Sequence, residues 1–186
     1  MPEFEEMCES MKNAAGALRD ADVPFVLGGS LAAWARGGPA PNHDVDFLVK
    51  PDDVERAAQI LAELGLRIEN PPEGWLVKAW DGDVLVDLIY DPSSGPVTDE
   101  VIERGEEREV LSTRMRVMAL EDVMVTKLLA LDETHLDLAG SLEIARPLRE
   151  QIDWDEVRGR TKDSPYARAF FALVEELGVV EREVVG

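Results

Sequence analysis

Asn42-His43-Asp44-Val45-Asp46-Phe47-Leu48-Val49 is the stretch on which the reading turns. Val45, Phe47 and Val49 alternate with their neighbours, which predicts a β-strand with one face committed to a core. Side chains at i and i+2 leave a strand on the same side, so Asp44 and Asp46 project together. Two carboxylates held that close repel each other, and a fold keeps them paired where something positive lies between them. A divalent cation with oxygen ligands, magnesium first and manganese second, meets that need.

Thirteen residues separate this pair from Leu27-Gly28-Gly29-Ser30 upstream. Pro24 to Leu27 reads as a short buried strand and Gly28-Gly29-Ser30 as a tight turn, with Ser30 the expected N-cap of a helix over 31–36. Gly37 to Pro41 is a loop leading into the aspartate strand. A glycine turn lets backbone N–H groups approach a phosphate closely, and a helix start adds partial positive charge. Gly28, Gly29 and Ser30 are therefore candidates to hold the phosphates of a nucleotide, with Asp44 and Asp46 holding two metal ions against them. Asp87, alone among apolar neighbours in Val84-Leu85-Val86-Asp87-Leu88-Ile89, is the candidate third metal ligand and acceptor of a hydroxyl proton. An edge-strand position or a structural ion pair is the alternative reading of Asp87.

Around this centre, an amphipathic helix is expected over 3–20, and one over 51–64 that opens on Pro51 and stops at Gly65. Strands follow at 66–68, 75–80 and 84–89, the last two joined by a turn at Asp81-Gly82, with a further hairpin at 108–111 and 115–118. Helices are expected over 121–131, 138–150, 154–160 (capped by Asp153) and 165–177 (capped by Ser164). This is an α+β (α/β) pattern: a mixed sheet with flanking helices in residues 1–119, then a helical region, 120–186, packed on it.

Composition narrows the classes. At 186 residues and 45% hydrophobic content the chain can bury a proper core, and no apolar run approaches the roughly 18 residues of a membrane span. The acidic N-terminus lacks the basic start of a signal peptide, so no membrane association and a cytoplasmic location are the expectation. One cysteine, Cys8, excludes an internal disulfide and a cysteine-based zinc site, and is most simply a buried thiol. The net charge of −20 opposes broad nucleic-acid binding, although Arg146, Arg149, Arg158, Arg160, Lys162 and Arg168 make a locally near-neutral strip that could take an acceptor or simply be a solvated surface.

The Gly28-Gly29-Ser30 turn, the thirteen-residue gap, Asp44-Val45-Asp46 and Asp87 together resemble the DNA polymerase β-type nucleotidyltransferase superfamily. Within it, Leu120-Glu121-Asp122-Val123-Met124-Val125-Thr126-Lys127-Leu128-Leu129-Ala130-Leu131 is similar to the lysine-bearing helix of AbiEii-type and MenT-type nucleotidyltransferases, a group that includes toxins of toxin–antitoxin pairs. The resemblance covers about residues 25–150 and implies magnesium-dependent transfer of a nucleoside monophosphate from a nucleoside triphosphate. It further implies that Lys127 contacts phosphates, that Asp137 joins the nucleotide site, that the acceptor is the 3′ end of tRNA, and that an antitoxin protein is a partner. Asn42 replaces the Ser or Thr frequent in the group, and Arg36 lies near an arginine of its relatives. Lys127 stands out on its own account, because Val123, Met124, Ala130 and Leu131 surround it at helical spacing and its charge there needs an anion: a triphosphate is one answer, a structural salt bridge or snorkelling of the side chain to solvent the alternative.

A small-molecule or protein acceptor, as in antibiotic-modifying relatives, fits the acidic charge, and a catalytically inactive nucleotide-binding relative is a third possibility. Alternation turns His43 away from the aspartates, and His135, between two helices, reads as surface. Trp75 and Trp80 read as core or sheet-edge packing rather than a base pocket, and Ser30 has no His–Asp partnership to make it a nucleophile.

Overall fold

The computed structural model describes residues 4–41 and 44–181. Helix α1 (Phe4–Asp20) leads into strand β1 (Phe25–Leu27), the short helix α2 (Gly29–Trp34) and strand β2 (Asp44–Val49). A single 3-10 turn, Pro51–Asp53, opens helix α3 (Val54–Glu63). Strands β3 (Arg67–Glu69), β4 (Leu76–Asp81) and β5 (Val84–Ile89) follow, then helix α4 (Asp99–Arg104) and the hairpin β6 (Glu106–Val110) and β7 (Thr113–Val117). The remainder is helical: α5 (Leu120–Leu129), α6 (Leu138–Leu148), α7 (Trp154–Thr161) and α8 (Pro165–Glu176). The expected mixed sheet with flanking helices is what forms.

All seven strands join one sheet in the order β3-β4-β5-β2-β1-β7-β6. β2 runs parallel to β5 and β1 parallel to β7, while the other neighbours are antiparallel. The pleat sorts the residues by face. Val45 and Phe47 of β2, Val86 and Leu88 of β5 and Val77 and Ala79 of β4 are all buried, under α1 and α3. Phe25 and Phe47 meet edge to face at 5.1 Å between ring centres, a favoured aromatic geometry that fixes β1 on β2. The opposite face carries Asp44, Asp46 and Asp87, and here α2, α5 and α6 pack beside the sheet.

The helices of the second half pack onto the same core, with Met124 and Leu128 of α5, Leu148 of α6 and Phe170 of α8 fully buried. Polar contacts tie them down. Asp122 of α5, 3% exposed, accepts from Arg104 Nε of α4 at 3.0 Å and from Arg160 Nη1 of α7 at 2.5 Å. Both arginines also reach Glu156. Ser164 and Asp153 cap α8 and α7 as expected, their side chains accepting from Ala167 N and from Asp155 N and Glu156 N. No helix among the described residues is long and apolar enough to cross a membrane.

Three local expectations are corrected, and one element is new. The cap of α2 is Gly28, not Ser30, because the chain turns so tightly that the Gly28 carbonyl already accepts from Ala32 N at 3.0 Å. That helix ends at Trp34 rather than Arg36, the chain then turning through Gly37 at φ +96°. The β4–β5 turn is Gly82-Asp83, one residue later than expected, since Asp81 still pairs with Val84. Helix α4 was not expected at all.

Candidate active site

Three short elements converge on one point. β2 carries Asp44 and Asp46, and its parallel partner β5 sets Asp87 directly opposite Asp46. Because directly paired residues share a face, register alone brings the three carboxylates together. Each offers an oxygen within 4.8 Å of the others'. From β1, Gly28 N donates to the Asp46 carbonyl at 2.8 Å, which locks the glycine turn against the same strand.

Both glycines of that turn are closely approached by side chains of β2. A Cβ on Gly28 would fall 2.3 Å from Leu48 Cδ1, and one on Gly29 would fall 1.7 Å from Asp46 Oδ2. Gly29 also holds φ at +55°, a conformation glycine adopts without steric cost. The backbone of the turn thus lies in contact with the Asp46 carboxylate.

The electrostatics of the cluster are unbalanced. Burial, then the charges of Asp44 and Asp87, push the Asp46 carboxyl up to about 8 against the pull of Lys127. Burial and the Asp44 charge raise Asp87 to about 6, while Lys78 across the strand pair pulls it down. Asp87 Oδ1 is buried with no hydrogen-bond partner among the described residues. An orphaned carboxylate oxygen beside two more carboxylates is costly, and a hard divalent cation with oxygen ligands removes the cost. The residues present fit such a cation, with Asp44, Asp46 and Asp87 as its ligands.

Beside the triad opens a cleft of ≈ 510 Å³ whose lining includes Ser30, Asp44, Asp46, Lys127 and Asp137. Most of the sequence-predicted site residues therefore meet in one place. Lys127 rises from α5 between the buried Val123 and Met124 and the buried Leu131, and no ion pair reaches it within 4 Å among the described residues. Asp137 is the N-cap of α6, its Oδ1 accepting from Gly140 N at 2.9 Å.

Other expectations land elsewhere. Arg36 donates to the Val117 and Met118 carbonyls and to Glu106, tying α2 to the end of β7 rather than facing the cleft. In the basic strip, Arg158 pairs with Glu175 and Arg160 with Asp122 and Glu156, so these two brace helices. Trp80 lies on the sheet face, donating to Glu69 at 3.2 Å, and Trp75, just before β4, is 39% exposed. His135 is exposed beside Asp132, and Cys8 is buried. Asn42 and His43 lie outside the described residues.

Three contributors escaped the sequence reading. Pro39-Ala40-Pro41 forms one wall of the cleft. Glu143 lines it as well, and the signal was available: Asp137, Gly140 and Glu143 recur at three-residue spacing on one side of α6. Lys78 is the third, and only strand register reveals it.

A metal-fitting carboxylate triad on paired strands, a glycine turn docked on it and a helix-borne lysine make up the candidate site. The model of a family described as uncharacterised nucleotidyltransferase matches residues 6–176, and the chain belongs to that family. Among solved structures, the fold is similar to that of the antibiotic-resistance factor ANT(2'')-Ia, with a TM-score of 0.61 at 17% identity over 95% of this chain and 98% of that one. It is also similar to the lincosamide antibiotic adenylyltransferase LnuA (TM-score 0.52, 13% identity, 73% of this chain and 94% of that one). JHP933 of Helicobacter pylori gives a TM-score of 0.52 at 17% identity over 100% of this chain and 83% of that one. No curated protein matches the sequence.

Proposed function

We infer that this nucleotidyltransferase uses the triad cleft to transfer a nucleoside monophosphate from a nucleoside triphosphate to an acceptor hydroxyl, the 3′ end of tRNA, as the toxin of a toxin–antitoxin pair. The observation that carries the chemistry is the meeting of Asp44, Asp46 and Lys127 in one cleft, with Asp87 beside the aspartate pair and the Gly28-Gly29 turn docked on Asp46. The similarity of the Lys127 helix to AbiEii-type and MenT-type enzymes supports the acceptor.

In this reading Gly29, Ser30 and Lys127 hold the triphosphate, and Asp137 meets it from the start of α6. The acceptor hydroxyl gives its proton to Asp87, which stands directly opposite Asp46 on the neighbouring strand. The freed oxygen bonds to the α-phosphorus as the bond to pyrophosphate breaks. Magnesium ions held by Asp44, Asp46 and Asp87 would supply charge neutralisation at the phosphoryl oxygens. Positioning and electrostatics, rather than a covalent enzyme intermediate, account for the rate.

A second reading has one observation in its favour. The ANT(2'')-Ia fold is known in complex with adenylyl-2''-tobramycin, a small nucleotidylated product, and that structure aligns with 90% of this chain at a TM-score of 0.60. Incubation with labelled nucleoside triphosphates, Mg²⁺ and either total tRNA or a panel of aminoglycosides and lincosamides separates the two. Label on tRNA that is lost in Asp46→Ala supports the tRNA reading. Label on small molecules alone transfers the assignment to the second.

A further inference from the structure

Two cross-strand rows lead away from the triad. One runs Asp46, Asp87, Lys78, Glu69 across β2, β5, β4 and β3, and the next runs Asp44, Leu85, Trp80, Arg67. Directly opposed residues share a face, so all eight belong to the face that carries the carboxylates. α1 and α3 cover the other side of these strands, over Val77, Ala79 and Val86. On this side Arg67 and Glu69 are exposed, and Lys78, Trp80 and Leu85 are only half-buried. The cleft with Lys127 lies on the β2 side of Asp87, so the open rows lie on the side away from the triphosphate.

The residues of this face are arranged rather than scattered. Trp80 Nε1 donates to Glu69, and Arg67 lays its guanidinium over the indole with its central carbon 5.6 Å from the ring centre. Arg67 itself pairs with Glu69 at 3.3 Å. The indole and the guanidinium are thereby pre-set as one stack. Lys78 stands between that stack and Asp87, close enough for its charge to act on Asp87, yet no carboxylate pairs with it within 4 Å among the described residues.

We propose that the open face of β3, β4 and β5 is the acceptor platform, binding the single-stranded end of a nucleic acid with its terminal base on the Arg67–Trp80 stack and its last phosphodiester on Lys78. This deepens the tRNA reading above and rests on it. Aromatic and guanidinium planes are the surfaces on which unpaired bases stack, and a lysine is a point contact for phosphate. Neighbouring strands lie about 4.8 Å apart, so β5 to β3 spans about 10 Å, room for a terminal nucleotide and its neighbour beside Asp87. Lys78 on β4 and Arg67 on β3 are the two cations of these rows, within two strands of Asp87.

The test compares wild type with Lys78→Gln, Lys78→Glu and Trp80→Ala in three measurements: transfer to tRNA, KM for the triphosphate, and binding of a short single-stranded RNA followed by fluorescence anisotropy. Thermal melts establish that each variant is folded, and Lys78→Gln separates loss of the cation from repulsion by a new carboxylate. The expected result is a loss of about tenfold or more in kcat/KM for tRNA with each variant, at unchanged KM for the triphosphate. RNA binding should weaken in parallel, and its log–log salt slope should fall by about one in Lys78→Gln. If wild type labels tRNA and the three variants label it equally well, the platform is wrong while the tRNA reading stands. If wild type labels no tRNA but still binds RNA in a Lys78-dependent way, the platform stands and the tRNA reading falls. Transfer to aminoglycosides that improves in Lys78→Gln overturns both.

Discussion

Asp46 is the residue on which chemistry and stability meet. Its carboxyl is held at about 8 by burial and by Asp44 and Asp87, far above its ordinary value of 3.8. The folded metal-free protein therefore keeps a proton that the unfolded chain has released. Its contribution to stability is present below about pH 4, is lost as pH rises to about 8 and levels off above that, the reverse of the usual salt-bridged carboxylate. Asp87, raised to about 6, adds to the lower part of that window. Thermal melts without divalent ions should show a decline over this range, Mg²⁺ should restore more at pH 8 than at pH 5, and Asp46→Asn should flatten the pH dependence. An Mg²⁺ effect of equal size at both pH values would contradict the placement of the ion among these carboxylates. At this scale the sequence was informative where alternation suffices, since i, i+2 spacing fixes that Asp44 and Asp46 share a face. It was silent on Lys78, because a lone lysine in a strand acquires meaning only when its cross-strand partner is known, and register is a property of the pair.

The elements were legible in proportion to their length and to the strength of their boundary residues. β5 runs from Val84 to Ile89 as its apolar run required, and the Asp153 and Ser164 caps sit where expected. α4 was missed because it has six residues, of which Ile102 alone is buried, too few to establish a period. Ser30 was misassigned because a Ser after Gly-Gly looks like a cap until the turn is seen to close one residue earlier. Helix α6 offers an element-scale experiment, since Asp137 both caps it and lines the cleft. Asp137→Ala should lower stability by about 1 kcal/mol through loss of the cap, whereas Asp137→Asn, an equally good cap, should leave it near wild type. If the carboxylate also acts on the nucleotide, Asn should still change the KM for the triphosphate. An Asn variant with unaltered KM would reduce Asp137 to a cap.

For the whole molecule, the two halves of the sequence share one core. The sheet strands end at Val117 and the helices begin at Leu120, yet α5 packs against α2, α7 and α8 and sets Lys127 beside the β2 carboxylates. Asp122 holds this joint, buried between Arg104 and Arg160, which are each over a third exposed. Asp122→Ala should cost on the order of 2 kcal/mol, the lower end for a broken buried pair because water still reaches both arginines. Urea unfolding should then shift its midpoint at unchanged slope, in a single transition. Two separated transitions in the variant would mean that sheet and helices unfold independently. None of this was visible beforehand, because an acid in the first turn of a helix ordinarily faces solvent and favours the helix dipole.

The site is also divided along the chain. Its carboxylates lie between Asp44 and Asp87 and its lysine at Lys127, and the connection between them passes through Ser93 and Ser94, both exposed. Cutting the polypeptide there would leave one fragment with the three clustered carboxylates and without Lys127, and the other with Lys127 and none of the three. Neither could transfer a nucleotide alone, so turnover would appear only when the two pieces found each other. The same cleft that joins acid to base in the intact protein would then work as a reporter of proximity between whatever two proteins the fragments were fused to.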